Sequence, residues 1–204
     1  MTEVVLWDYP KSSASYRVRI ALNLADVAFR IEHVNLLEKA HRSPEHLARN
    51  PQGFVPVLDI DGHRLTQSLA ILDYLNTTRD LGLLPADPRE RAKVQAAAYA
   101  IAVDLHPVCN LSVAGHATQG QEPARTAWMQ HFIRPGLVAF EALLAGFPAA
   151  AFCTGAAPSL ADICLIPQLY NARRWGVDYE DLERINAAEA SCKNIAAFQT
   201  AAPD

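Results

Sequence analysis

Residues 12–22 read SSASYRVRIAL and follow closely on an apolar run, VVLWDY at residues 4–9. The run at 4–9 is typical of a buried strand, and Tyr16–Ala25 repeats apolar residues at the spacing of an α-helix. A strand that leads into a helix N-terminus makes an anion-binding position, because the free backbone N–H groups and the helix dipole favour negative charge there. The serines add hydroxyl donors, whereas the stretch contains no acid, histidine or cysteine.

Strand and helix patterns alternate through the first eighty residues. Asp61-Gly62 between two strand-like runs is a strong signal for a two-residue β-hairpin. Ser43 before Pro44 is typical of a helix start, and Ser68 is expected to cap the last helix of this part. The predicted strands are 4–9, 29–34, 56–60 and 63–66, and the predicted helices are 16–25, a short one after Ser43, and 69–78. The order βαβαββα predicts a thioredoxin-like α/β domain over residues 1–79.

Thioredoxin-like folds carry a CxxC redox pair at the start of the first helix, and this chain has Ser12-Ser13-Ala14-Ser15 there. A donor cluster without a nucleophile indicates that a cofactor brings the thiolate, whose pKa would fall on accepting hydrogen bonds at a helix N-terminus. One of the serines can equally be a simple N-cap. The two explanations are compatible.

Residues 80–88 hold two prolines and a glycine without any period, which predicts a linker. The remainder, 89–204, is expected to be all-helical. The predicted helices are 89–113 with a bend at Pro107, 124–144, 159–172 and shorter ones to the end, with a loop at 114–123.

Composition narrows the class of protein. The chain has 204 residues, half of them apolar, and a net charge of −4 with acids and bases scattered along it, which argues against a nucleic-acid or anionic-membrane partner. No apolar run approaches the length of a membrane span, and the first residues do not resemble a signal peptide. The four cysteines lack metal-binding spacing, so reduced thiols in a cytoplasmic protein are expected.

A second group of polar signals lies around the third strand. NPQGFVPVL at residues 50–58 starts a strand with proline, which suggests a cis Val55–Pro56 bond, an outward-facing Val55 and a backbone free to pair with a peptide-like ligand. Gln67-Ser68 opens another helix and offers a second anion position. Together with Ser12, these features suit a small peptide that carries a thiol and carboxylates.

These residues resemble the zeta class of the glutathione transferase superfamily. SSASYRVRIAL is similar to the class signature, and NPQGFVPVL, QSLAILDYL (67–75), DLHPVCNLSV (104–113) and SLADICLIPQLYNARRW (159–175) resemble further segments in order over nearly the whole chain. In the last segment, Ser159 and Asp162 would form a capping box. The resemblance implies a glutathione transferase fold.

The resemblance also implies an activity. The class isomerises maleylacetoacetate to fumarylacetoacetate in tyrosine breakdown, with glutathione as a cofactor that is not consumed, and bacterial relatives act on maleylpyruvate. Rival hypotheses are glutathione transfer or dehalogenation of small α-halo acids, which would consume glutathione, and a non-catalytic glutathione-binding protein. A homodimer without nucleic-acid or membrane partners is expected.

Site residues carry over from the resemblance position by position. Ser12, with Ser13 beside it, would bind and activate the glutathione sulfur. The rest of the glutathione would be held by His41, Val55, Pro56, Gln67, Ser68 and, across a dimer, Asp104. Substrate contacts would come from Arg17, Cys109, Asn110 and Arg174. From the residues alone, His41 could be merely solvated, and Arg17 and Arg19 could form structural ion pairs. Arg174 and the adjacent Arg173 could each be a surface charge.

Two positions depart from the class pattern. Ala14 stands where the signature has a cysteine, which leaves isomerisation possible and weakens thiol-exchange side reactions. Cys109 stands where relatives usually have a polar side chain facing the substrate, and a thiol is a weaker donor. The loop at 114–123 also does not resemble the usual helical continuation of the class.

Overall fold

The computed structural model describes residues 3–203 and divides the chain into two units. The first contains the described residues up to Leu81 together with those from Ala196 onward, and the second contains Gly82–Ile195. The predicted helical domain, 89–204, therefore extends too far. Its last helix belongs with the first unit.

The first unit is built on a four-stranded mixed sheet of order β2-β1-β3-β4. β1 pairs parallel with β2 and antiparallel with β3, and β3 pairs antiparallel with β4. The strands are β1 Val5–Asp8, β2 Arg30–His33, β3 Val57–Ile60 and β4 His63–Thr66, and the helices are α1 Ser13–Leu24, a 3₁₀ turn Ala40–Arg42, α2 Pro44–Arg49 and α3 Ser68–Arg79. This is the predicted thioredoxin-like order βαβαββα.

The turn between β3 and β4 confirms the hairpin expected from Asp61-Gly62. Both residues have positive φ, +53° at Asp61 and +80° at Gly62. Positive φ at both central positions is the backbone twist that matches paired antiparallel strands, and it explains the Asp-Gly sequence. The hairpin sets the register in which Val57 lies opposite Thr66, directly before α3 begins.

Two local predictions in this unit are corrected. Ser68 is the first residue of α3 rather than its cap, because Gln67 occupies the cap position with φ +68° and no side-chain capping bond. Val55 does not face outward: the Val55–Pro56 bond is cis as expected, but Val55 is only 9% exposed. Its backbone N–H and C=O make no hydrogen bond within residues 3–203.

The second unit is helical throughout its regular elements. Its helices are α4 Pro88–Tyr99, a π-helical segment Ala100–Leu105, α5 His106–Val108, α6 Leu111–Ala117, α7 Ala124–Leu144, α8 Leu160–Arg174 and α9 Glu183–Cys192, and α10 Ala196–Ala201 belongs to the first unit. The predicted 124–144 helix is confirmed to the residue. The predicted loop 114–123 is shorter, because α6 continues to Ala117.

The long helix predicted over 89–113 is broken in the way that Pro107 suggested. Before the proline, the backbone hydrogen bonds change from the α-helical to the π-helical pattern. The His106 N–H donates to the carbonyl of Ile101, five residues earlier. Because proline has no N–H, a regular helix would leave the Val103 carbonyl without its partner four residues on. The π segment accommodates this before the chain bends at Cys109 and Asn110.

The start of α8 confirms the predicted capping box. The Ser159 N–H and hydroxyl both donate to the Asp162 carboxylate, at 2.8 and 2.7 Å. The other carboxylate oxygen accepts the Cys153 N–H at 2.9 Å, so Asp162, although fully buried, has partners on both oxygens. A buried carboxylate that is satisfied in this way fixes the preceding loop to the helix.

The four cysteines form no disulfide, and all four are buried. Among the described residues, no single helix has the length and apolar character needed to cross a membrane. By those two criteria alone one bent pair does, Pro88–Val108 with Leu111–Ala117.

The packing of α7 on the π segment generates a stability prediction. A Cβ added at Gly136 would lie 2.7 and 3.0 Å from the two methyl carbons of Leu105. We expect Gly136→Ala to destabilise the protein by about 1–3 kcal/mol through overpacking. The matched control is Gly115→Ala in α6, where a Cβ meets nothing within 4 Å and a gain of about 0.5–1 kcal/mol is expected. Urea unfolding measures both, and equal midpoints for the two variants would contradict the packing argument.

Candidate functional site

The first part of the site is the N-terminus of α1. Ser12 is its N-cap, since the Ser12 Oγ accepts the Ser15 N–H at 3.2 Å and the Ser12 N–H donates to the Tyr9 carbonyl at 2.9 Å. A hydroxyl that accepts through its oxygen still has its proton to donate, and within residues 3–203 the Ser12 hydroxyl donates to no partner. The N-cap explanation is therefore confirmed for Ser12, and this geometry leaves its hydroxyl proton available for a thiolate ligand. Ser13, the first residue of the helix, is buried beside it.

Arg17 joins this helix start to a second one. Its guanidinium donates to the Ser68 hydroxyl at 3.3 Å, and Ser68 is the first residue of α3. The structure thus brings two predicted site residues into direct contact. Arg17 is 1% exposed, however, and that burial argues against the direct substrate contact predicted for it.

The loop between α2 and β3 holds the backbone of Val55. The Phe54 carbonyl accepts hydrogen bonds from Asn50 Nδ2 and from His46 Nε2, both at 3.0 Å. Asn50 also binds the loop through its side-chain oxygen, which accepts the Gln52 N–H at 3.1 Å. Within residues 3–203, the Val55 N–H and C=O make no hydrogen bond. The loop is fixed on one side of Val55 and leaves its peptide groups available to a ligand.

Asn50 and His46 are contributors to the site that the sequence analysis missed. Both side chains are buried although both are polar, and buried polar groups are normally hydrogen-bonded. Asn50 had a sequence signal, because it opens the quoted NPQGFVPVL stretch. His46 had none, since its ring reaches the loop only once α2 has folded against it.

Gln67 is linked to the same loop. Its Nε2 donates to Gln52 Oε1 at 2.6 Å, and its backbone has φ +68°, an uncommon value for a residue other than glycine. Unusual backbone angles persist only where surrounding structure holds them and are concentrated at ligand sites. Gln52 is a further residue that the sequence analysis did not single out.

His41 is the middle residue of the 3₁₀ turn that precedes α2. Burial lowers the pKa of its imidazole, and the positive charges of Arg42 and His46 add to this effect. Its Nδ1 is buried and has no hydrogen-bond partner among the described residues. A neutral ring with one remaining N–H is therefore the form expected near neutral pH.

The predicted site residues of the second unit lie on and after the π segment and at the end of α8. Asp104 is exposed on the π segment. Asn110 is the N-cap residue of α6 and makes no side-chain capping bond, so its amide remains available. Cys109 next to it is buried, and burial raises the pKa of its thiol to about 12. This thiol stays protonated and apolar in character at neutral pH.

The structure separates the two arginines of the NARRW segment. Arg173 is paired with Glu189 and donates to Tyr179 as well. Arg174 is exposed, lies over the rings of Tyr170 and Trp175 at 5.9 and 6.0 Å, and forms no ion pair within residues 3–203. Of the two, only Arg174 presents a guanidinium that a carboxylate ligand can reach without displacing a protein partner.

Family models match both units. The model for the glutathione S-transferase N-terminal domain matches residues 2–77, and the model for the C-terminal domain of the same family matches residues 122–191. The chain therefore belongs to the glutathione S-transferase family.

Its place within that family is the zeta class, and the three relatives described next are isomerases. The chain is 59% identical to the maleylacetoacetate isomerase of Rhizobium meliloti, over 99% of this chain and 97% of that protein. It is 38% identical, with a TM-score of 0.92, to a holo maleylpyruvate isomerase described as a bacterial zeta-class enzyme, over 98% and 96% of the two chains. The maleylacetoacetate isomerase of Anaeromyxobacter dehalogenans, 37% identical with a TM-score of 0.88 over 99% and 95%, has been solved with glutathione and with dicarboxyethyl glutathione and citrate in its active site.

Proposed function

We propose that the protein catalyses the glutathione-dependent isomerisation of maleylacetoacetate to fumarylacetoacetate. The observation that carries the proposal is Ser12: its oxygen caps α1 while its proton remains free to donate, in a stretch that has no nucleophile of its own. Such a position suits a thiolate that arrives with a cofactor. The 59% identical maleylacetoacetate isomerase supports this choice of substrate.

The residues present fit glutathione. When bound, it supplies a thiolate that adds reversibly to the cis double bond and leaves again after rotation about the resulting single bond. Ser12 would donate its hydroxyl proton to the sulfur, and the N–H groups at the start of α1, next to Ser13, would favour its negative charge. Dicarboxyethyl glutathione in the related active site supports this route, because such a compound is what thiol addition to an unsaturated diacid gives.

The peptide part of glutathione would be held by groups that the fold leaves open. The Val55 N–H and C=O would pair with the cysteinyl backbone, with the cis bond to Pro56 as part of that geometry. Gln67 and Ser68 would bind the γ-glutamyl end at the N-terminus of α3. A neutral His41 would donate a hydrogen bond to the glycyl carboxylate.

The substrate would be recognised by the second unit. Arg174 would bind a substrate carboxylate with two parallel hydrogen bonds, a task for which a planar guanidinium is suited. Asn110 would contact the substrate through its free amide, with the apolar, protonated Cys109 beside it.

We further propose a cytoplasmic homodimer that acts in tyrosine breakdown, in which Asp104 reaches the γ-glutamyl amine of the partner's glutathione. Two large apolar side chains close to Asp104 in the sequence, Tyr99 and Val103, are exposed, Val103 by 52%, and a dimer interface at this segment would cover them. Sedimentation analysis measures the dimer directly, and a monomer at micromolar concentration would refute it.

A parallel turnover assay tests the proposed reaction. Maleylacetoacetate and maleylpyruvate are each supplied with and without glutathione, and the trans product and the free thiol are followed together. We expect trans product from maleylacetoacetate only when glutathione is present, with the free thiol constant. Consumption of thiol would instead indicate transfer chemistry, and turnover of maleylpyruvate alone would favour the substrate of the 38% identical relative.

The Ser12 role gives a second prediction. Ser12→Gly removes the hydroxyl and costs only a few tenths of a kcal/mol at an N-cap. Loss of a hydrogen bond to a charged group, about 1.5–3 kcal/mol, should raise the pKa of the bound thiol by about one to two units and lower kcat at pH 7 at least tenfold. Ser12→Thr, which keeps a hydroxyl, is the control. If the pKa of the bound thiol is the same in Ser12→Gly as in Ser12→Thr, the Ser12 hydroxyl has no part in activating the thiol.

The role proposed for Arg174 gives a third prediction, for which the neighbouring Arg173 provides the control. Arg174→Gln should raise KM for the diacid by about tenfold or more, while glutathione affinity and the urea midpoint stay unchanged. Arg173→Gln should instead lower the free energy of unfolding, because Glu189 is buried and loses a partner, and leave KM unchanged. The assignment fails if Arg173→Gln raises KM more than Arg174→Gln does.

A further inference from the structure

Arg19 lies two residues beyond Arg17 on α1 and is 5% exposed. Its guanidinium uses every nitrogen. Nη1 donates to both carboxylate oxygens of Asp8 at 2.9 and 2.8 Å, Nη2 donates to the Pro10 carbonyl at 2.9 Å, and Nε donates to the Ala201 carbonyl at 2.9 Å. One side chain thus binds three separate stretches of the first unit.

Two of these stretches are the strand end before the turn that leads to Ser12 and the turn itself. Asp8 is the last residue of β1, and Pro10 lies between it and Ser12, whose N–H closes the turn on the Tyr9 carbonyl at 2.9 Å. Arg19 therefore holds the end of the strand and the middle of the turn against α1. The position of the Ser12 hydroxyl relative to the helix is set by these bonds together with its own capping bond.

The third stretch is the C-terminal helix. Ala201 is the last residue of α10, and carbonyls at a helix end lack partners within the helix. Arg19 satisfies this one, and Asn23 of α1 donates to the Ala197 carbonyl at 3.1 Å. The buried Phe198 side chain lies between these two positions in the sequence. The end of the chain thereby supports the guanidinium that holds the turn.

The effect of this arrangement is geometric rather than a matter of net charge. Asp8, 1% exposed, neutralises Arg19, so the pair adds little net positive potential at Ser12. A planar guanidinium can satisfy acceptors in three directions at once, whereas an ammonium group on a flexible stem cannot match that fork.

We propose that Arg19 is a positioning residue that holds the Tyr9–Ser12 turn, and with it the sulfur-binding hydroxyl of Ser12, and that α10 is part of this support. The inference rests on the proposed role of Ser12 toward glutathione and extends it to residues that do not touch the ligand.

Arg19→Lys tests the proposal, because it keeps the charge opposite Asp8 and loses the three-way bonding. The pKa of bound glutathione is read from the pH dependence of thiolate absorbance, alongside kcat, KM and the glutathione dissociation constant. We expect a higher bound-thiol pKa and a kcat lower by about tenfold, since small misplacement of a reacting group is costly, with the dissociation constant within about threefold. A merely structural role would lower stability and leave the bound-thiol pKa unchanged.

The control is Arg64→Lys in the same unit. Arg64 also binds a carboxylate with two bonds, to Asp59 at 2.8 and 2.7 Å, but the pair is exposed to solvent. This variant should match the wild-type protein in every readout. If Arg19→Lys does not fold, Phe198→Leu tests the proposal instead, because it loosens the packing of α10 and leaves Arg19 in place. This variant should also raise the pKa of the bound thiol.

The wild-type protein separates the possible failures. If it leaves the thiol of bound glutathione at its free pKa, the proposed role of Ser12 fails and the positioning role fails with it. If the wild-type protein lowers that pKa and the folded Arg19→Lys variant lowers it equally, the positioning role alone is overturned. In the fallback case, an unchanged pKa in Phe198→Leu overturns it.

Discussion

The buried ion pair between Asp8 and Arg19 is the constraint on which the first unit depends. It joins the end of the central strand to the first helix, and the remaining donors of Arg19 reach the following turn and the last helix of the chain. A buried pair of this kind is costly to leave half-made, so the strand, turn and helix are held in one arrangement. Ser12 is positioned by that arrangement.

The rest of the candidate site follows the same principle, in which buried polar side chains hold exposed backbone in place. Asn50 and His46 fix the carbonyl before Val55, and Arg17 joins the start of α1 to the start of α3. In each case the group that would meet a ligand is a hydroxyl or a peptide unit. The side chains that bring it there are buried and already have partners.

Thiol chemistry and substrate recognition are expected to lie on different units. The first unit offers donors at two helix N-termini, and these suit an anionic sulfur and carboxylates. The second offers Arg174, whose guanidinium forms no ion pair within the described residues, and Asn110 at a helix start. Cys109 is buried next to Asn110, and its thiol, whose pKa is raised by burial, is a less polar group there than the side chain that the class pattern implied.

The sequence by itself determined the order of elements, the Asp61-Gly62 hairpin and the capping box at Ser159, because each depends on residues close together in the chain. It also placed Ser12 at a helix start. The tertiary structure alone decided which polar residues are partnered: that Arg17 is buried against Ser68, that Arg173 rather than Arg174 is paired with Glu189, that His46 reaches the Phe54 carbonyl, and that the last helix belongs to the first unit. Apart from the His46 contact, these depend on partners between 16 and 182 residues apart, a distance over which local sequence patterns carry no information about contacts.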